Sequence, residues 1–179
     1  MGRSTSEQRQ GSPRPRWQVH AEAAPIIYHS KFAFGGPRAA NLFLNIIGIS
    51  MRKHLRNLQL LDYHRGIKKA PEVFRLLQDA QRIHTLSFSY PEVCVNKLHI
   101  ATHADGLLKT LFIARQRTGE DPMEVLDVIR AEGDIERSKL PERYVQAAAE
   151  LRALLAMQLE VETDEDTALV YRTESEPGA

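Results

Sequence analysis

Two short apolar runs of one design, Leu55-x-x-Leu58-x-Leu60 and Ile83-x-x-Leu86-x-Phe88, begin 28 residues apart and flank one amphipathic segment. In each run a single polar residue separates the last two apolar positions, the period of a strand that buries one face. The repeat length falls within that of leucine-rich strand–helix units. Between the runs, Pro71 suits the opening of a helix, and Val73, Phe74, Leu77 and Ala80 give that helix a buried side. The pattern predicts parallel strands at Leu55–Leu61 and Ile83–Ser89 joined by a helical crossover, which is right-handed in nearly all proteins. Upstream, Lys31–Phe34 reads as a third strand. Gly35-Gly36-Pro37 then breaks the chain before a helix whose stripe is Ala40, Phe43, Leu44 and Ile47, with Gly48 as its stop. The expected fold class is α/β: a small leucine-rich-like parallel sheet of about three strands, with crossover helices and a helical C-terminal region.

After Pro91 the apolar period becomes helical. Asn96 is the expected N-cap of a long helix through Leu108, Leu111 and Phe112 to Gly119. Asp121-Pro122-Met123-Glu124 has the form of a capping box, and Val125, Leu126 and Ile129 form the packed face of the helix it would open, closed by Gly133. A last helix from near Pro141 carries a seam of Leu140, Tyr144, Ala148, Leu151, Leu155 and Leu159. The expected organisation is a flexible basic arm at 1–16 and a single α/β domain with a helical cap at 17–163. An acidic flexible tail follows at 164–179. A short helical stretch near His20–Ala24 is expected to end before Pro25.

Composition narrows the function more than it defines it. A formal net charge of +1 supplies no global pull toward nucleic acid or an anionic membrane. Cys94 is the single cysteine, so no internal disulfide forms, which fits a reducing compartment. The first 17 residues lack the apolar core of a secretory signal, and no run is long and apolar enough to span a bilayer. Gly2 with Ser6 matches the loose myristoylation pattern, which the polar run after it makes a chance match. The expectation is an intracellular protein, cytoplasmic or nuclear.

Four stretches in order, HAEAAPIIYHSKFAF, PRAANLFLNIIG with MRKHLRNLQLL, EVFRLLQDAQRIHTLSF, and ADGLLKTLFIARQRTG with PMEVLDVI, give the chain a wider likeness. Over roughly Trp17 to Ile135 it resembles a large, mostly uncharacterised family of filamentous-fungal F-box-like and leucine-rich-repeat-like proteins. The family's N-terminal F-box-like helix motif, the segment that recruits a ubiquitin-ligase adaptor, is missing from the matched stretches. A polar arm stands in its place. The resemblance implies a protein-binding scaffold and carries no catalytic residues to individual positions.

Candidate chemistry is sparse. His99 and His103, at i and i+4 on the long helix with Asp105 and Cys94 nearby in sequence, offer two imidazoles but no third-ligand frame for zinc. GxSxG, Walker A and GxGxxG are absent, and Cys94 sits in an apolar context unlike that of a low-pKa thiol. No cofactor, metal or enzymatic activity is expected. Arg52, Lys53, Arg56, Arg65, Lys68 and Lys69 form a basic run suited to an anion or nucleic acid, with Tyr63 placed to stack on a base. The C-terminal seam, with Tyr144, Leu151, Leu155 and Leu159, either packs on the Leu108 helix or presents a face to a protein partner or a second copy. The sequence therefore points to a non-enzymatic interaction module or adaptor, by its last helix or an exposed strand edge. The alternative is a nucleic-acid-associated protein using the basic arm and the Arg52–Lys69 run.

Overall fold

Alternation along three short segments builds the centre of the molecule. The computed structural model describes residues 26–133 and 140–173, with side chains as far as Leu159. The strands β1 (Lys31–Phe34), β2 (Asn57–Leu60), β3 (Thr85–Ser89) and β4 (Ile129–Glu132) form one sheet in the order β1-β2-β3-β4. Every pairing is parallel. The register lines up Phe32, Leu58, Leu86 and Ile129 in one row and Phe34, Leu60, Phe88 and Ala131 in the next. Leu58, Leu60, Leu86 and Phe88 are fully buried, each contributing about 1.5–3 kcal/mol by leaving water. The repeat read from Leu58 and Leu86 is thus a direct pair in the sheet.

The intervening segments are α1 (Pro37–Arg52), α2 (Ala70–Leu77), α3 (Tyr90–Thr118) and α4 (Glu142–Thr173). A 3₁₀ turn at Ile67–Lys69 leads into α2. The helices pack in chain order, α1 on α2, α2 on α3 and α3 on α4. Short parallel links allow this because each right-handed crossover returns its helix to the same side. Position 36 has to be glycine. Its φ is 155°, and a Cβ there would stand 2.6 Å from the Asp62 carbonyl oxygen and 2.7 Å from that of Arg65, so the β1–α1 turn can nest against the loop after β2.

The α/β class with a parallel sheet is as expected, and four details differ. The sheet has four strands rather than three, because Pro122–Asp127 is a 3₁₀ helix and Ile129 begins β4. Asp121 does cap, accepting a hydrogen bond from the Met123 N–H at 2.9 Å. Glu124 does not reach back to complete the box, and pairs instead with Arg115 at 2.8 Å. Asn96 is not an N-cap. Helix α3 starts after Ser89, with Pro91 in its first turn, and Asn96 lies buried one turn on, donating to Glu92 Oε2 at 2.8 Å. Gly48 interrupts α1 in the left-handed region at φ 69°, but helical geometry resumes after it to Arg52. The arm at 1–16 and the His20–Ala24 stretch lie outside the described residues, and the acidic tail at 164–179 lies outside the described side chains.

Candidate partner-binding surfaces

The C-terminal seam is spent inside the molecule. Leu151, Leu155 and Leu159 are buried as α4 packs on α3. Tyr144 stacks on Tyr90 with ring centroids 5.8 Å apart. Lys97 pairs with Glu150 at 2.5 Å, and Arg152 pairs with Asp127. Cys94, half-buried, faces the Arg143 carbonyl at 3.8 Å across the same interface. These residues hold α4 down, so Leu151, Leu155 and Leu159 are not presented to a partner.

The basic run does not form one surface. Arg52 is buried and structural, its guanidinium 2.8 Å from Asp79 and donating to the Leu44 carbonyl at 2.8 Å. Lys53 and Arg56 precede β2, whereas Arg65, Lys68 and Lys69 follow it. The four residues of β2, about 13 Å of strand, set the two groups at opposite ends of the sheet. Arg65 is paired with Asp62 at 3.5 Å. Tyr63 stands fully buried, so it is no platform for a base.

Tyr63 instead bonds a histidine. Its hydroxyl lies 2.6 Å from His103 Nδ1, with Phe88 edge-on at 5.4 Å. Burial, and then Glu92, pushes the Tyr63 hydroxyl well up, so it stays protonated. Burial, and then the neighbouring His99, holds His103 below the ordinary histidine value. The His99 and His103 rings stack at 6.2 Å, but His103 Nδ1 is already engaged. Among the described residues no three His, Cys, Asp or Glu side chains gather as a metal site.

Two surfaces remain unaccounted for by the core. The first is a cleft of about 810 Å³ between the loop after α2 and the last turns of α3, where Arg56, Arg82, His84, Arg115 and Arg117 meet against Glu120. Arg56 is held in place by donating to the Arg82 carbonyl at 2.8 Å. Burial, followed by Arg56, Arg115 and His29, keeps His84 below its usual range. Burial, followed by Lys53, Arg56 and Arg82, does the same to His54. Both imidazoles register an excess of positive charge. The second surface is the outer flank. Leu42 and Ile46, at i and i+4 on α1, and Ile49 just past its break at Gly48 are 64%, 74% and 63% exposed. Ile26 and Ile27, just before β1, are also exposed, and β1 is an edge strand whose second side has no partner strand among the described residues.

Comparison with protein-family models, with curated proteins and with solved structures finds no match. Among the described residues no helix is long and apolar enough to cross a membrane. The flank had a readable signal: Leu42 and Ile46, at i and i+4, fall on the far side of the helix from Ala40 and Leu44, where one buried face needs no apolar residues. The cleft had none, since Arg56, Arg82 and the Arg115–Arg117 pair lie on three separate segments that only folding brings together.

Proposed function

We propose that the protein is a non-enzymatic intracellular interaction module, cytoplasmic or nuclear, that docks a protein partner on its β1–α1 flank. The observations that carry this reading are the exposed Leu42, Ile46 and Ile49 on α1 and the open edge of β1, the strand that precedes that helix. Stacked strand–helix units each bury a neighbour's face, and the outermost unit has a face left over. An apolar stripe on that unit is a liability in water unless something covers it, and an open strand edge offers unpaired N–H and C=O groups to a further chain. Covering each of these aliphatic side chains would yield about 1.5–3 kcal/mol at most. The likeness to leucine-rich-repeat-like proteins supports the same role, since such scaffolds work by binding.

The test is capture of partners from the native cell with the wild-type chain and with Ile46→Glu. The proposal expects a defined protein to be retained by the wild type and lost by the variant, while Arg117→Gln keeps it. An unchanged partner set with Ile46→Glu would remove the flank from consideration, and a shift of the wild type alone to twice its mass would make the partner a second copy. The alternative, nucleic acid as partner through residues 1–16 and the basic run, is weakened by the separation of Lys53 and Arg56 from Arg65, Lys68 and Lys69 across β2.

A further inference from the structure

Three guanidinium groups in the cleft between α2 and α3 have no acidic partner among the described residues. Arg56 donates only to a carbonyl, and neither Arg82 nor Arg117 is within ion-pair distance of a carboxylate there. Arg115 is already matched by Glu124. Glu120 is the only acidic side chain lining the cleft. Like charges brought together in this way repel, and such a cluster gains when an anion enters. The anion should carry more than one charge, because three unpaired guanidiniums exceed what one carboxylate can satisfy. Arginine forks match the oxygen geometry of phosphate through paired N–H donors. No Phe, Tyr or Trp side chain lines the cleft, so a nucleobase would find no stacking surface, although stacking is the usual means of holding single-stranded nucleic acid.

We infer that the cleft formed by Arg56, Arg82, Arg115 and Arg117 binds a dianionic phosphoryl group, carried either by a small polyphosphate or by a phosphorylated side chain. This site is separate from the β1–α1 flank. Burial first, and then these arginines, lower the pKa of His84 in the cleft and of nearby His54, and an arriving phosphate would oppose the charge part of that shift.

The experiment titrates the full chain with inorganic pyrophosphate and, in a second arm, with a phosphoserine peptide, by calorimetry and by thermal melting. Binding to the folded form must raise the melting temperature. It should weaken as salt rises, because the site is open to solvent. Arg82 and Arg117 are exposed, so Arg82→Gln and Arg117→Gln are expected to melt like the wild type. Each should weaken pyrophosphate binding about tenfold or more, the factor for losing one charge-assisted hydrogen bond. Tighter binding in one arm identifies the source of the phosphoryl group, and either source supports the inference. It is overturned if neither probe binds at millimolar concentration, if both variants bind as the wild type does, or if a single-stranded oligonucleotide binds through the same arginines more tightly than either probe. Ile46→Glu should leave pyrophosphate binding intact, which separates failure here from failure of the flank.

Discussion

Lys31 Nζ lies 2.7 Å from Glu132 Oε2, so the first residue of the first strand is tied to the last residue of the last. The two strands are separated by β2 and β3. Only a twisted sheet brings such diagonal corners within reach of two side chains. Burial alone would raise the Glu132 carboxyl, but Lys31, with Ser87 and Arg130 adding to it, outweighs burial and holds it below the ordinary value of 4.5. A carboxyl depressed in the folded state stabilises above its unfolded value, and that contribution is lost as pH falls below 4.5. Both side chains are partly exposed, so Lys31→Met should cost less than about 1 kcal/mol. The variant's melting temperature should converge with that of the wild type as pH drops from 5 to 3 (about one unit either side of the unfolded value). A constant gap across that range would contradict the assignment.

His103 gives the opposite end of the pH scale a marker. Its folded value is lowered, chiefly by burial, so below 6.5 the unfolded chain takes up the proton first and stability falls with acidification. His54 and His84 shift in the same direction. The melting temperature should therefore decline between about pH 7.5 and pH 5.5, and His103→Gln should flatten part of that decline. Tyr63→Phe, which removes the hydroxyl bonded to His103 Nδ1, should cost about 0.5–1.5 kcal/mol at pH 7.5. Equal pH slopes for wild type and His103→Gln in melting curves would refute the mechanism.

Leu58 and Leu86 are register partners at the sheet centre, and both are fully buried. Each Leu→Ala change should destabilise by about 2–5 kcal/mol in urea denaturation. Because the two touch the same core, the double variant should depart from additivity by about 0.5 kcal/mol or more. Leu42→Ala on the exposed flank should move stability by no more than about 0.5 kcal/mol. A large loss at Leu42 would mean that the stripe is covered within the chain.

Asp79 supports a nearly buried cation. Arg52 joins the end of α1 to Asp79 just beyond α2 and to the Leu44 carbonyl. Asp79→Ala should cost about 1.5–3 kcal/mol, the range for a hydrogen bond to a charged group. Arg65→Ala, at an exposed pair, should cost under about 1 kcal/mol. Comparable losses in the two variants would show that burial of Arg52 does not govern its contribution.

Much of the architecture was legible because period-two alternation is a local signal. Leu58-x-Leu60, Leu86-x-Phe88 and the Gly-Gly-Pro break each carry their meaning within a few residues. Strand β4 was hidden by a conflict of local signals. A good aspartate cap at Asp121 announces a helix, yet only a 3₁₀ segment follows before the β-branched pair Val128-Ile129 enters the sheet. Pro91 stands in the first turn of α3, a position that suits proline, so the helix begins before the apolar period that follows it. At the surface, adjacency in sequence misled. The run from Arg52 to Lys69 is dense in charge, but a strand in its midst sends the charges to opposite ends. The cleft draws its arginines from the residue before β2, the loop after α2 and the end of α3, a grouping that no window along the chain contains.

The unbroken succession β1-β2-β3-β4 has an engineering corollary. Since each strand lies beside its immediate successor, another strand–helix segment can be grafted ahead of Lys31 without rerouting any existing connection. Such a graft would inherit the exposed isoleucines of α1 as ready-made seating, and its success or failure would report how permissive that end of the array is to growth.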